Sequence, residues 1–213
     1  MNAADWPSLP LDEWQPTYST LHMCTQIVGK LRLAFTPLVN HWWNVPLYVS
    51  ARGLTTSSIP CKDFAFEVEF DLLDHQVVIR TSTGEIKSVP LFARPVADFY
   101  REFMATLEPM GIHPHIWPMP VEIPDPIRFD RDVQHASYDP EHAGRFFRVL
   151  ASVHDVLYEF RSRFVGKCSP VHFFWGSFDL CTTRFSGRRA PERSGADSIT
   201  REAYSHECSS AGF

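Results

Sequence analysis

The chain has 213 residues, a net charge of −5 with histidine neutral, 44% hydrophobic residues and 21% charged ones. That balance excludes global disorder and a nucleic-acid binder working by overall basic charge. No apolar run reaches the roughly 18 residues a membrane helix needs. The start, Met1 to Trp14, holds Asp5, Asp12 and Glu13 and neither Lys nor Arg, unlike a signal peptide.

Five cysteines, at 24, 61, 168, 181 and 208, are widely spaced with no CxxC. Their odd number and spacing read as free thiols in a reducing cytoplasm, with one pair among them as the alternative. The expected protein is cytoplasmic and has no nucleic-acid or membrane partner. The sequence is silent on oligomeric state.

Leu21, Cys24, Val28, Leu31 and Phe35 recur at helical spacing, so 17–36 is predicted as a helix between Pro16 and Pro37. Gly29 costs this helix about 1 kcal/mol relative to Ala and marks a place where another element can approach closely. Residues 42–51 read as a strand, with Pro46 placing it at an edge or bulge. From Phe64 to Leu72, Phe64, Phe66, Val68, Phe70 and Leu72 alternate with Ala65, Glu67, Glu69 and Asp71. A period of two means a strand with one dry and one wet face. Strands at 76–81 and 85–89 follow across turns too short for a parallel crossover, which gives an antiparallel meander.

Val96, Phe99, Tyr100, Phe103 and Leu107 mark a helix over 95–108 that Pro109 and Gly111 stop. Seven prolines in the 32 positions 109–140 exclude a helix there, so 109–139 is expected to be an irregular segment lying on the body. Asp139 caps the next helix, with Pro140 in its first turn and Gly166 closing it. Residues 171–185 read as a last strand region and 186–203 as an exposed loop. The fold class expected is α+β: an antiparallel sheet of about five strands with three helices on one face, all in a single domain.

Asn40-His-Trp-Trp-Asn-Val-Pro-Leu-Tyr-Val-Ser-Ala-Arg-Gly-Leu54 and Phe173-Phe-Trp-Gly-Ser-Phe-Asp-Leu180 resemble an uncharacterised bacterial family, a domain of unknown function. Pro114-His-Ile-Trp-Pro118, Ser205-His-Glu207 and Ser210-Ala-Gly-Phe213 are similar to further signatures of it. The resemblance spans nearly the whole chain and implies no assigned activity. It also implies relatives that run past Phe213. That agrees with an end lacking a polar tail, so a C-terminal portion is expected to be missing.

Ten histidines raise the question of metal. His113 and His115 flank a proline and face alike in an extended segment. With His206 and Glu207 they could assemble a mixed N/O site for a divalent ion such as Zn, Fe or Mn. HExxH is absent, and ordinary loop histidines are the competing reading. Asp179 sits among Phe174, Trp175, Phe178 and Leu180, so it must be paired or its pKa rises. Arg184 and Arg52 are the candidate partners. Asp179 and His172 are the candidate catalytic pair, and Trp117, Trp175 and Arg184 the candidate ligand-binding residues. Phosphate-loop and nucleophile-elbow motifs are absent. The expected function is a small-molecule-binding protein or enzyme, with a pocket between the proline-rich segment and the strand at 171–180. The alternative is an interaction module using the sheet edge at 42–51 and an open sheet face.

Overall fold

The structure is a computed structural model describing residues 6–213. Its element order is α1 (Leu11–Phe35), β1 (Tyr48–Val49), β2 (Gly53–Thr55), β3 (Ile59–Cys61), β4 (Phe64–Asp71), β5 (Gln76–Thr81), β6 (Ile86–Pro90), α2 (Val96–Leu107), α3 (Pro140–Ser162), β7 (His172–Phe174), β8 (Asp179–Arg189), α4 (Ser198–Ala203) and β9 (His206–Gly212). The class is α+β. Six antiparallel strands form the larger sheet in the order β1-β2-β4-β5-β6, with β3 also on β4, and β7-β8-β9 form a second sheet. Leu47 and Phe173 exchange both backbone hydrogen bonds at 2.9 Å, which joins the two sheets beside β1. The flank expected to be a free edge is therefore taken up by β7. The strand expected over 42–51 shrinks to two residues, because Asn40–Trp42 turns as a 3-10 helix instead.

β4 carries the alternation. Phe66, Val68 and Phe70 are buried in the core, and Phe35 of α1 meets Phe66 edge-on at 5.4 Å. Burying each such side chain contributes about 1.5–3 kcal/mol. The opposite face is not open to water. Glu69 and Asp71 are buried beneath hydrogen bonds from Ser50 (2.8 Å) and Arg80 (2.8 Å) to Glu69, and from Arg52 (2.6 Å) to Asp71. Acids at this spacing read as solvated, but cross-strand cations and a hydroxyl cover them.

α1 begins six residues earlier than the 17–36 reading, with Pro16 inside it. The carbonyl of Asp12, which Pro16 leaves without a helical donor, lies on a turn whose residues 11–13, 15 and 16 are exposed, so water can serve it. From Thr20 to Arg32 every residue of α1 is buried, with α2, α3 and β3 around it. Asp139 caps α3 as expected, accepting from the N–H groups of Glu141 (2.8 Å) and His142 (3.0 Å). The 109–139 segment forms neither strand nor α-helix, and its Ile112 and Phe129 are fully buried. The 186–203 segment is largely exposed but ordered as the end of β8 and as α4. All five cysteines are free. No helix of the described residues is long and apolar enough to cross a membrane.

Candidate functional site

A helix buried on all sides must find an interior partner for each polar side chain it carries. α1 carries His22, Gln26, Lys30 and Arg32 in its buried stretch. Gln26 pairs with Val121 like a backbone group, its Oε1 accepting from Val121 N–H at 2.8 Å and its Nε2 donating to Val121 C=O at 2.9 Å. His22 Nε2 contacts the carbonyls of Trp175 (3.0 Å) and Gly176 (2.9 Å). Two carbonyl acceptors require that nitrogen to carry the proton. Burial pushes the His22 imidazole down, and the same two hydrogen bonds oppose that. Arg32 Nε donates to Asn44 C=O at 2.8 Å, and its guanidinium also donates to Thr56 C=O. Three polar residues of one helix thus hold the 121 segment, the 175–176 turn and the 44 loop in place.

Those three pieces wall a cavity of about 460 Å³ between α1, the proline-rich segment and the end of β7. Trp175 forms one wall. Its ring lies so close to α1 that a Cβ on Gly29 would sit 2.3 Å from it, and its Nε1 donates to Val45 C=O at 2.8 Å. The close approach expected of Gly29 is realised. Ile199 of α4 and Leu33 of α1 complete the apolar rim. Three lining residues hold left-handed backbone: His41 (φ 58°), Trp42 (φ 57°) and Glu122 (φ 59°). For non-glycine residues each such conformation costs of order 1–3 kcal/mol and tends to cluster at functional sites.

Lys30 is the last of these four α1 side chains, and it faces this cavity. It is 4% exposed. Among the described residues its ammonium has no carboxylate within ion-pair distance, and its contacts are the rings of Trp117 and Trp175, each 5.7 Å away at the centroid. Cation–π contacts return about 0.5–2 kcal/mol. Full removal of an ammonium from water would cost several; the Lys30 ammonium instead opens onto the recess, with no carboxylate of the described residues to balance its charge. Burial pushes the Lys30 pKa down. Trp42 Nε1, on the same lining, is buried with no hydrogen-bond partner. Glu122 stands at the exposed lip, accepts from the Ser177 hydroxyl and rests against Gly176.

The sequence-predicted site residues divide. Trp175 lines the cavity, and Trp117, 64% exposed, lies over Lys30. Asp179 follows the 175–178 turn; burial pushes its carboxyl up and Glu122 adds to this. Its expected arginine partners are elsewhere. Arg52 holds Asp71 and Asp74, and Arg184 lies 3.3 Å from the Phe160 ring centroid. Positions 179 and 184 of one strand point to opposite faces roughly 17 Å apart. His172 is 1% exposed between Trp43, Tyr48 and Phe174, lines no cavity described here, and has an unpartnered Nε2. Burial first, then Arg32 and Arg161, push it down to about 4.

The proposed metal ligands do not converge. His113 pairs with Glu108 at 3.0 Å on the surface, and His115 is exposed. Consecutive residues of β9 face opposite ways, so Glu207 goes to Arg188 (2.7 Å) while His206 goes to His41 (6.0 Å between rings). Among the described residues no three His, Cys, Asp or Glu side chains are grouped to hold a metal ion. His206 and His41 instead line a second cavity of about 510 Å³ beside the first.

Sequence reasoning missed Lys30, His41, Trp42 and Glu122. One signal was present: polar residues at 22, 25, 26, 30 and 32 share one arc of about 160° of the helix, opposite Met23, Cys24, Ile27, Val28 and Leu31. A helix patterned so is either solvated or buried with every polar group in use. Comparison with curated proteins and with solved structures finds no match. The family model described as a family of unknown function (DUF5996) matches residues 6–213, and the chain belongs to that family.

Proposed function

We propose that this protein binds a small organic molecule in the cavity between α1, the proline-rich segment at 121–122 and the 174–176 stretch. The carrying observation is a mostly apolar recess of about 460 Å³ onto which a few polar groups converge, within the roughly 300–1,000 Å³ usual for ligand pockets. Three left-handed residues on its lining support the reading, since backbone strain persists where a site requires it. A reducing compartment, the cytoplasm, suits five free thiols. Neither nucleic acid nor membrane belongs to the proposal.

The test is native mass spectrometry of protein purified from its own host, beside the Val121→Trp variant. Val121 lines the recess, and an indole there fills it. The expected result is a co-purifying small molecule retained by the parent and lost from a folded Val121→Trp. Equal retention by both proteins would place the ligand elsewhere.

A further inference from the structure

We infer that the ligand of this cavity is a hydrophobic monocarboxylate whose carboxylate is received by the Lys30 ammonium. The inference rests on the cavity being the ligand site and adds the chemical class of its occupant.

Lys30 is the cationic lining group without a polar partner among the described residues. It only donates: an ammonium offers three N–H groups and no acceptor. Its complement is an acceptor-only head group. A carboxylate offers about four lone-pair sites and is such a group, and it supplies the negative charge that Lys30 lacks. An alcohol or amide would bring donors of its own and leave the ammonium uncompensated.

The charge count limits the head to one negative charge. His41, the other basic side chain on the lining, is pushed down by burial against the pull of Glu202, and His206 pushes it further. It is therefore neutral near pH 7, which leaves Lys30 as the single cation facing the recess. Glu122 faces it too, with its carboxylate held by Ser177 at the lip, and would repel a dianion such as a phosphate monoester. The remaining walls, from Leu33, Val45, Phe174, Trp175 and Ile199, are apolar or aromatic. They suit an apolar body, and chains of about six to ten carbons are small enough to enter a recess of this size.

The experiment is calorimetric titration at pH 7.5 of phenyl-substituted and straight-chain carboxylic acids of about that length, each beside the alcohol of the same skeleton. 4-Phenylbutyrate and 4-phenylbutan-1-ol are the first pair. The parent protein is compared with Lys30→Met and Lys30→Gln, with circular dichroism to establish folding. The parent is expected to bind acids at least tenfold tighter than the matching alcohols, and both variants to lose that preference while keeping affinity for the alcohols. Equal binding of acid and alcohol by the parent, or a preference that survives in a folded Lys30 variant, overturns the carboxylate assignment and leaves the cavity reading standing. Binding of no acid and no alcohol across the series overturns both.

Discussion

Two glycines sit inside long helices, and replacing each with alanine should shift stability in opposite directions. A helix-interior Gly→Ala change gains roughly 0.4–1 kcal/mol where the new methyl meets nothing. Gly144 in α3 is such a site, with no atom within 4 Å of an added Cβ. Gly29 in α1 is not, because the methyl would stand 2.3 Å from Trp175 Cδ1 and Nε1 and 2.5 Å from its Cγ. Trp175 is 6% exposed and tied to Val45 C=O, so its ring cannot swing aside freely. Overpacking costs about 1–3 kcal/mol, and losing the indole hydrogen bond leaves a buried carbonyl at about 1–3 kcal/mol more. Against a gain of at most about 1 kcal/mol, Gly29→Ala is expected to destabilise by about 1–5 kcal/mol. For a chain of this length each kcal/mol moves the Tm by about 2–4 °C. Urea denaturation followed by tryptophan fluorescence measures both variants. A Gly29→Ala protein as stable as Gly144→Ala, with unchanged tryptophan emission, would refute the packing of Trp175 on α1 and remove that wall from the cavity.

His172 predicts a pH dependence. Its imidazole is pushed down to about 4 by burial, Arg32 and Arg161, so the unfolded chain binds its proton more readily than the native one. The stability from keeping it neutral is complete above the ordinary histidine pKa of 6.5 and is lost as pH falls toward 4. Between pH 7 and pH 5 the loss is about 2 kcal/mol. His172→Phe should remove that share of the pH slope, and an unchanged slope would contradict the assignment. Gln26→Leu keeps volume but strips Val121 of both hydrogen bonds, for an expected cost of about 2–3 kcal/mol. Amide hydrogen exchange should quicken at Val121 before it does in β4, and protection unchanged at Val121 would count against the clamp.

Local patterns carried the elements they dictate. The alternation from Phe64 to Asp71 demands a half-buried strand, Asp139-Pro140 demands a helix start, and prolines from 109 onward forbid a helix. Misreadings arose where tertiary contacts decide. Glu69 and Asp71 look solvated until Arg80 and Arg52 fold over them. Pro16 looks like a boundary until the exposed turn before it shows how its missing donor is tolerated. A cavity where the sequence placed one was legible, since its walls at 121–122 and 174–176 come from the two segments singled out. It was less legible in chemistry. Histidines drew attention by their number, whereas Lys30 matters because of what does not stand beside it. That is a property of three elements at once, and no spacing along one of them encodes it.

The central claim is that α1 holds an uncompensated ammonium against a ligand cavity. NMR titration of the Lys30 side chain, assigned by comparison with Lys30→Met, tests it most directly. Burial should lower its pKa from the ordinary 10.5 in the free protein, and saturating 4-phenylbutyrate should raise it again, because a bound carboxylate favours the charged form. A Lys30 that titrates at the ordinary value and stays there with the acid present would contradict the account.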